Sequence, residues 1–263
     1  MLHPLAEPYQ DLFTRRRSFV FLVSHMRSYS SLLGHLLAST GEIDGYCELH
    51  QSYASELDLV RMALDVQNTY AEPLTGDRLF DKLLHRGSTL NTAITDRSDV
   101  HVILAARTPA PTLASMIALG TRDSSVRWAS NPARALLHYQ RRLDDLQALA
   151  TTLKRGAVLI ADEITRDSES TRRQLAAFLG LPSIPDRYKL RARTGHAGFG
   201  DSSTQIMSGS IQLIPTEPRS QLSPVSAEIF AEASESFAQF VANPAVASLN
   251  HIGEYDRYRI AAS

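Results

Sequence analysis

The sequence predicts an α/β fold, a single-domain three-layer α/β/α arrangement around a central parallel sheet. Three short aliphatic or β-branched runs, at Phe19 to Ser24 (FVFLVS), Val100 to Ala106 (VHVILAA) and Ala157 to Ala161 (AVLIA), are bounded by polar residues, as strands buried on both faces are. Stretches of helical spacing lie between and after them, the alternation expected of a doubly wound sheet. A length of 263 residues with 43% hydrophobic content suits one sizeable domain.

In chain order, Met1 to Arg17 reads as a leader segment to the first strand. Its "RRRSFVFLV" resembles the start of a secretory signal, but the apolar run ends at Ser24 and His25 and no small-residue cleavage site follows. Helical patterns are expected at Ser30 to Ala38, Glu56 to Tyr70 and Arg78 to His85, then at Pro111 to Leu119, Pro132 to Leu153 and Ser168 to Leu179. The segment Ala135 to Leu153 has the apolar spacing of a long amphipathic helix packed on the sheet. From Pro182 the texture changes, and "TGHAGFGDSSTQIMSGS" reads as a long loop of the kind that serves as a lid. The tail, Val225 to Ala242, is again helical and offers a face on which two copies could pair as a homodimer.

Lys+Arg 27 against Asp+Glu 28 leaves a net charge of −1, so no global field draws the chain to nucleic acid or to an anionic membrane. Any anion site is therefore local. Nothing approaches the roughly 20 apolar residues of a membrane span. The single cysteine, Cys47, cannot form an intramolecular disulfide, and no Cys/His zinc spacing is present, so a reducing, cytoplasmic setting without a metal is expected.

Two stretches carry chemistry. "HMRSYSSLL", His25 to Leu33, follows the first strand and opens a helix. Arg27 offers a fixed cation, Ser28, Ser30 and Ser31 offer hydroxyls, and the helix start offers amides and the positive end of its dipole. The set suits one phosphate-like or sulfate-like group; the plainer alternative is a serine-rich helix cap beside an exposed Arg. It lacks the Gly-rich turn and the Lys before Ser/Thr of an ATPase P-loop. In "LAARTPAPTLASM", Arg107 ends the second strand run and Ser115 stands eight residues on, in the following helix. Ligands of open α/β sheets collect at the carboxyl ends of strands, so Arg107 is expected in the same crevice as Arg27. The alternative is an Arg paired with a carboxylate.

Taken together, a strand followed by "RSYSS" and a strand ending in "RTP" with a Ser eight residues after the Arg resemble the sulfotransferases that use 3′-phosphoadenosine 5′-phosphosulfate (PAPS), whose fold is related to the P-loop kinases. The resemblance implies that Arg27, Ser28, Tyr29, Ser30 and Ser31 cradle the 5′-phosphosulfate and that Arg107 with Ser115 grips the 3′-phosphate. "FDKLLH" at Phe80 to His85 looks like the Asp-Lys box of bacterial members. "ADEITRDSESTRRQLAAFLGL" is similar to their strand end and following helix, and "GFGDSSTQIMSGSI" resembles a late loop that would bring Gly198 and Gly200 over the nucleotide. Residues 18–50 then hold the phosphosulfate loop and base, 100–119 the 3′-phosphate motif and 190–215 the lid of one sulfotransferase domain. Tyr29 departs from the family, which usually has glycine there. A position needing φ > 0 would strain a tyrosine; alternatively the ring projects into the acceptor pocket.

Some members use a glutamate as base and others a histidine, which makes Glu48 in "GYCELH" the candidate and His50 its rival, with Arg27 stabilising charge. The expectation is in-line sulfuryl transfer from PAPS, with the bisphosphate PAP as product and no metal, to a hydroxyl or amine of a small-molecule or glycan acceptor. Two other readings stay open: a kinase-like phosphotransferase, and a catalytically silent nucleotide-binding protein on the same fold. His196 has no assigned role.

Overall fold

The computed structural model describes residues 16–70, 74–191, 193–196, 205–212 and 225–260. Six strands form one parallel sheet: β1 (Ser18–Ser24), β2 (Ile43–Asp44), β3 (Arg78–Leu83), β4 (Val100–Ala106), β5 (Ala157–Ile160) and β6 (Asn250–Ile252), in the order β2-β3-β1-β4-β5-β6. The principal helices are α1 (Ser30–Ala38), α2 (Glu56–Tyr70), α3 (Pro109–Arg122), α4 (Pro132–Ala150), α5 (Ser168–Leu179) and α6 (Ala227–Ala242).

Strand residues alternate between two cores because successive Cβ atoms point to opposite faces. Phe19, Phe21 and Val23 of β1 join Val102 and Leu104 of β4 under α2, α3, α4 and α6. Val20 and Leu22 join Ile103 and Ala105 under α1 and α5. Both faces are covered, which is why these strands read as continuous apolar runs, and the predicted three-layer α/β/α architecture is observed.

Local chemistry sets the helix ends. Asn131 caps α4 through Arg134 N–H at 3.1 Å, with Pro132 in the first turn where no N–H is required. Asp167 caps α5, and Gly180 ends it in the left-handed conformation at φ 65 while Leu181 N–H reaches back to Ala176 O, a Schellman closure.

One expectation is corrected. Arg78 to His85, read as helical, contains β3, hydrogen-bonded in parallel between β2 and β1. Leu79, Phe80, Leu83 and Leu84 fit a helical stripe, but a strand buried on both faces also places apolar residues without strict alternation: Leu79 and Leu83 enter one core and Phe80 the other. The edge strands β2 and β6, of two and three residues, are too short for periodicity to reveal.

The topology creates the site. The loop after β1 leads to α1 on one face, whereas the loop after its neighbour β4 leads to α3 on the other. Where adjacent strands send their helices to opposite sides, a crevice opens at their carboxyl ends.

Candidate active site

The crevice is built on a polar foundation under the ends of β1, β3 and β4. Arg142 of α4, only 2% exposed, donates through Nε and Nη2 to Ser24 O at 3.1 and 2.8 Å and through Nη2 to Leu83 O at 3.1 Å. His25 is fully buried. Its Nε2 accepts from Arg107 N–H at 2.9 Å, so Nδ1 carries the proton and donates to Met26 O at 2.8 Å. Burial lowers its pKa to about 3, which keeps the imidazole neutral.

From that base the first loop turns sharply. Arg27 has φ 64 and Tyr29 φ 59, left-handed conformations that cost a residue with a Cβ about 1–2 kcal/mol each. The position usually held by glycine in the resembling family thus does need positive φ. Tyr29 meets it and turns its ring to Arg107, whose guanidinium lies 4.0 Å from the ring centroid and donates through Nη2 to Tyr29 Oη at 2.7 Å. The ring is engaged with the second anion motif, and burial raises its phenol pKa. After Tyr29 the first turn of α1 begins, with N–H groups that have no partner within the helix.

Arg107 is held on further sides. Its Nη1 donates to Arg27 O at 3.1 Å, and its Nε stands 3.6 Å from Asp162 Oδ1, the carboxylate that also accepts from Thr108 N at 2.8 Å. Arg27 Nε donates to Ser115 Oγ at 2.7 Å. The two motifs read separately from the sequence are one hydrogen-bonded unit.

The opposite wall comes from β3 and the segment after β2. Gly45, at φ 97, passes so close to β3 that a Cβ there would sit 2.4 Å from Phe80 O. That approach carries the chain to Glu48. Asp81 is 1% exposed and accepts from Leu49 N at 2.9 Å, Lys82 N at 2.8 Å and Tyr53 Oη at 2.6 Å. Burial raises its pKa to about 7. Next to it, Lys82 is 2% exposed and donates through Nζ to Ser31 Oγ at 3.1 Å. Glu48 Oε1 lies 3.6 Å from His85 Nε2.

These walls enclose a cavity of about 430 Å³, within the usual range of small-molecule sites. Of the residues singled out from the sequence, Arg27, Tyr29, Ser30 and Ser31 line it from one side, Arg107 and Ser115 from a second, and Glu48 and His50 from a third. Ser28 does not: it is 2% exposed and its hydroxyl donates inward to His25 O at 2.8 Å. Gly198 and Gly200 lie outside the described residues. Lys82 and His85 line the cavity and were missed as site residues, because the helical reading of their segment gave no reason to aim either at the crevice. The likeness of "FDKLLH" to an Asp-Lys box was the signal available. From the late loop, Tyr188, Gln205, Ile206 and Ser210 close one side, and Tyr188 N–H donates to Gly209 O at 2.9 Å.

No protein-family model matches the chain, and no curated protein matches it. Among solved structures, the sulfotransferase domain from the curacin biosynthetic pathway is similar over 84% of this chain and 98% of that one, at 15% identity and a TM-score of 0.49. What the cavity can do rests on its own side chains. Arg27, Lys82 and Arg107 line the cavity at the carboxyl ends of the strands, together with the carboxylates Glu48 and Asp123 and the imidazoles His50 and His85. No helix among the described residues is long and apolar enough to cross a membrane.

Proposed function

We propose that this chain is a sulfotransferase that moves a sulfuryl group from PAPS to a hydroxyl or amine of a small-molecule or glycan acceptor. The observation that carries the reading is the bonded pair of anion loops after β1 and β4, facing a carboxylate in one cavity. A donor with a 5′-phosphosulfate and a 3′-phosphate needs cations for both anionic groups, and Arg27, Lys82 and Arg107 all line the cavity.

Bound PAPS supplies an activated sulfuryl group and a phosphate leaving group. The chain's part is placement and charge stabilisation, as in phosphoryl transfer. Ser30, Ser31 and the α1 amides orient the anion at the end of β1, and Arg27 and Lys82 offset charge on the transferred and leaving oxygens. Arg107, stacked on Tyr29, reads the 3′-phosphate with Ser115. Glu48 takes the acceptor's proton as the new oxygen–sulfur or nitrogen–sulfur bond forms, and His85 at 3.6 Å orients that carboxylate.

Calorimetric titration with adenosine 3′,5′-bisphosphate, beside ADP and ATP, tests the reading. Selective binding of the bisphosphate is expected. Preference for ATP would transfer the site to a kinase-like phosphotransferase, and bisphosphate binding without turnover on any acceptor to a silent nucleotide-binding protein.

A further inference from the structure

We propose that Glu48, His50 and His85 form a binding site for a divalent transition metal, with zinc the best match, on the wall of the cavity, and that an ion there withdraws Glu48 from proton transfer. The binding half stands on the cluster alone; the inhibitory half rests on the function proposed above.

Each of the three residues brings one ligand atom, and these atoms all lie within 4.8 Å of one another. Two ligands of tetrahedral zinc, with bonds of about 2.0–2.1 Å, are separated by about 3.4 Å. Glu48 Oε1 and His85 Nε2, 3.6 Å apart, already stand at nearly that spacing. His50 completes the set from an exposed position, its ring stacked toward His85 with an interplanar angle of 26° and centroids 6.1 Å apart.

The backbone that presents them is fixed. Leu49, between two of the ligands, donates its N–H to the buried Asp81 at 2.9 Å, and His50 is held at φ 54. Left-handed backbone at a bulky residue persists where the surrounding structure over-determines it, commonly at functional sites. His85 follows directly on β3, two residues beyond its last residue Leu83.

The donor set chooses the ion. Two imidazole nitrogens and one carboxylate oxygen suit zinc and its neighbours, whereas magnesium and calcium favour oxygen alone. Three protein ligands leave a fourth position open to water. Each histidine ligates through a neutral imidazole nitrogen. Coordination draws electron density from the Glu48 carboxylate and lowers its basicity, so it takes the acceptor's proton less readily.

The experiment is calorimetric titration of the whole chain with zinc chloride, and with magnesium chloride in parallel, for the native protein and for His85→Ala, His50→Ala and Glu48→Gln. One zinc per chain is expected, no magnesium, and at least about tenfold weaker zinc binding in each variant. Absence of saturable zinc binding overturns the site, and so does equal affinity in all three variants, which assigns the ion to other histidines. Should a variant fail to fold, cobalt(II) added to the native chain decides: intense visible bands of four-coordinate cobalt that excess zinc removes support the site, and the weak spectrum of six-coordinate cobalt overturns it. Zinc bound without loss of turnover removes the inhibitory half. Zinc binding in a chain that ignores adenosine 3′,5′-bisphosphate would leave the metal site standing and remove the sulfotransferase reading; bisphosphate binding without zinc binding would do the reverse.

Discussion

Arg27 Nε donates to Ser115 Oγ at 2.7 Å, a bond between residues 88 positions apart that ties the loop after β1 to the helix after β4. Under the proposed function, an anion bound by one loop is felt by the other. Arg107→Ala is expected to weaken adenosine 3′,5′-bisphosphate far more than ADP, because only the former carries the group this guanidinium reads. Ser115→Ala is expected to cost about tenfold on the bisphosphate and to cost ADP less but measurably, since it also releases Arg27. Equal losses for the two nucleotides in Arg107→Ala would remove its assigned role.

Tyr29 combines backbone strain with a contact to Arg107. Tyr29→Gly relieves a left-handed tyrosine worth about 1–2 kcal/mol while giving up ring burial, so its unfolding free energy should stay within about 1 kcal/mol of native. Bisphosphate affinity should fall nonetheless, because Arg107 loses its stacking partner. Tyr29→Phe, which keeps the ring and loses the hydroxyl's bonds to Arg107 Nη2 and Thr165, should fall in between. Denaturant unfolding and calorimetry on the two variants check this; a Gly variant that binds as well as native would show the ring to be dispensable.

Glu48→Gln keeps the shape of the site and deletes the proposed proton acceptor. Turnover is expected to drop by roughly 10²-fold or more, with nucleotide affinity nearly unchanged. Steady-state rates with a working acceptor decide. An unaffected rate would move the role to His85 or His50, both of which line the same cavity.

Arg142 satisfies two strand-end carbonyls with one buried guanidinium. Arg142→Leu leaves Ser24 O and Leu83 O without that donor and is expected to destabilise the fold by about 2–4 kcal/mol. Urea unfolding measures it, and a change under about 0.5 kcal/mol would mean that other donors replace the guanidinium.

Two buried groups give stability opposite pH slopes. Asp81, with its pKa raised by burial from 3.8 to about 7, keeps its proton in the folded chain between those values while the unfolded chain has lost it, so its contribution declines as pH rises through that window. His25, with its pKa lowered from 6.5 to about 3, stays neutral while the unfolded chain gains a proton, so its contribution declines as pH falls. Asp81→Asn removes the first effect and exposes the second: on acidification from pH 6.5 to 4.5 the variant's Tm should drop more steeply than that of the native chain. Parallel Tm curves would refute the Asp81 assignment.

Much of the architecture was legible in composition and spacing. The apolar runs of β1, β4 and β5, the hydroxyl-rich turn after β1 and the Arg107 to Ser115 interval are all local, and local patterns report burial on two faces, helix starts and anion donors directly. The sheet topology explains why the two motifs read separately belong to one crevice, since β1 and β4 are neighbours whose helices leave on opposite faces.

What the sequence by itself determined is thus the α/β class and the Arg- and hydroxyl-bearing make-up of two loops. The tertiary structure alone decided that Arg78–Leu83 is a strand, that Ser28 turns inward, that Tyr29 stacks on Arg107, and that Lys82 and His85 join Glu48 at the cavity. The physical reason is range: a strand buried on both faces and a helix share the same short apolar pattern until a neighbouring strand supplies hydrogen-bond partners, and a side chain's role depends on which distant groups satisfy it.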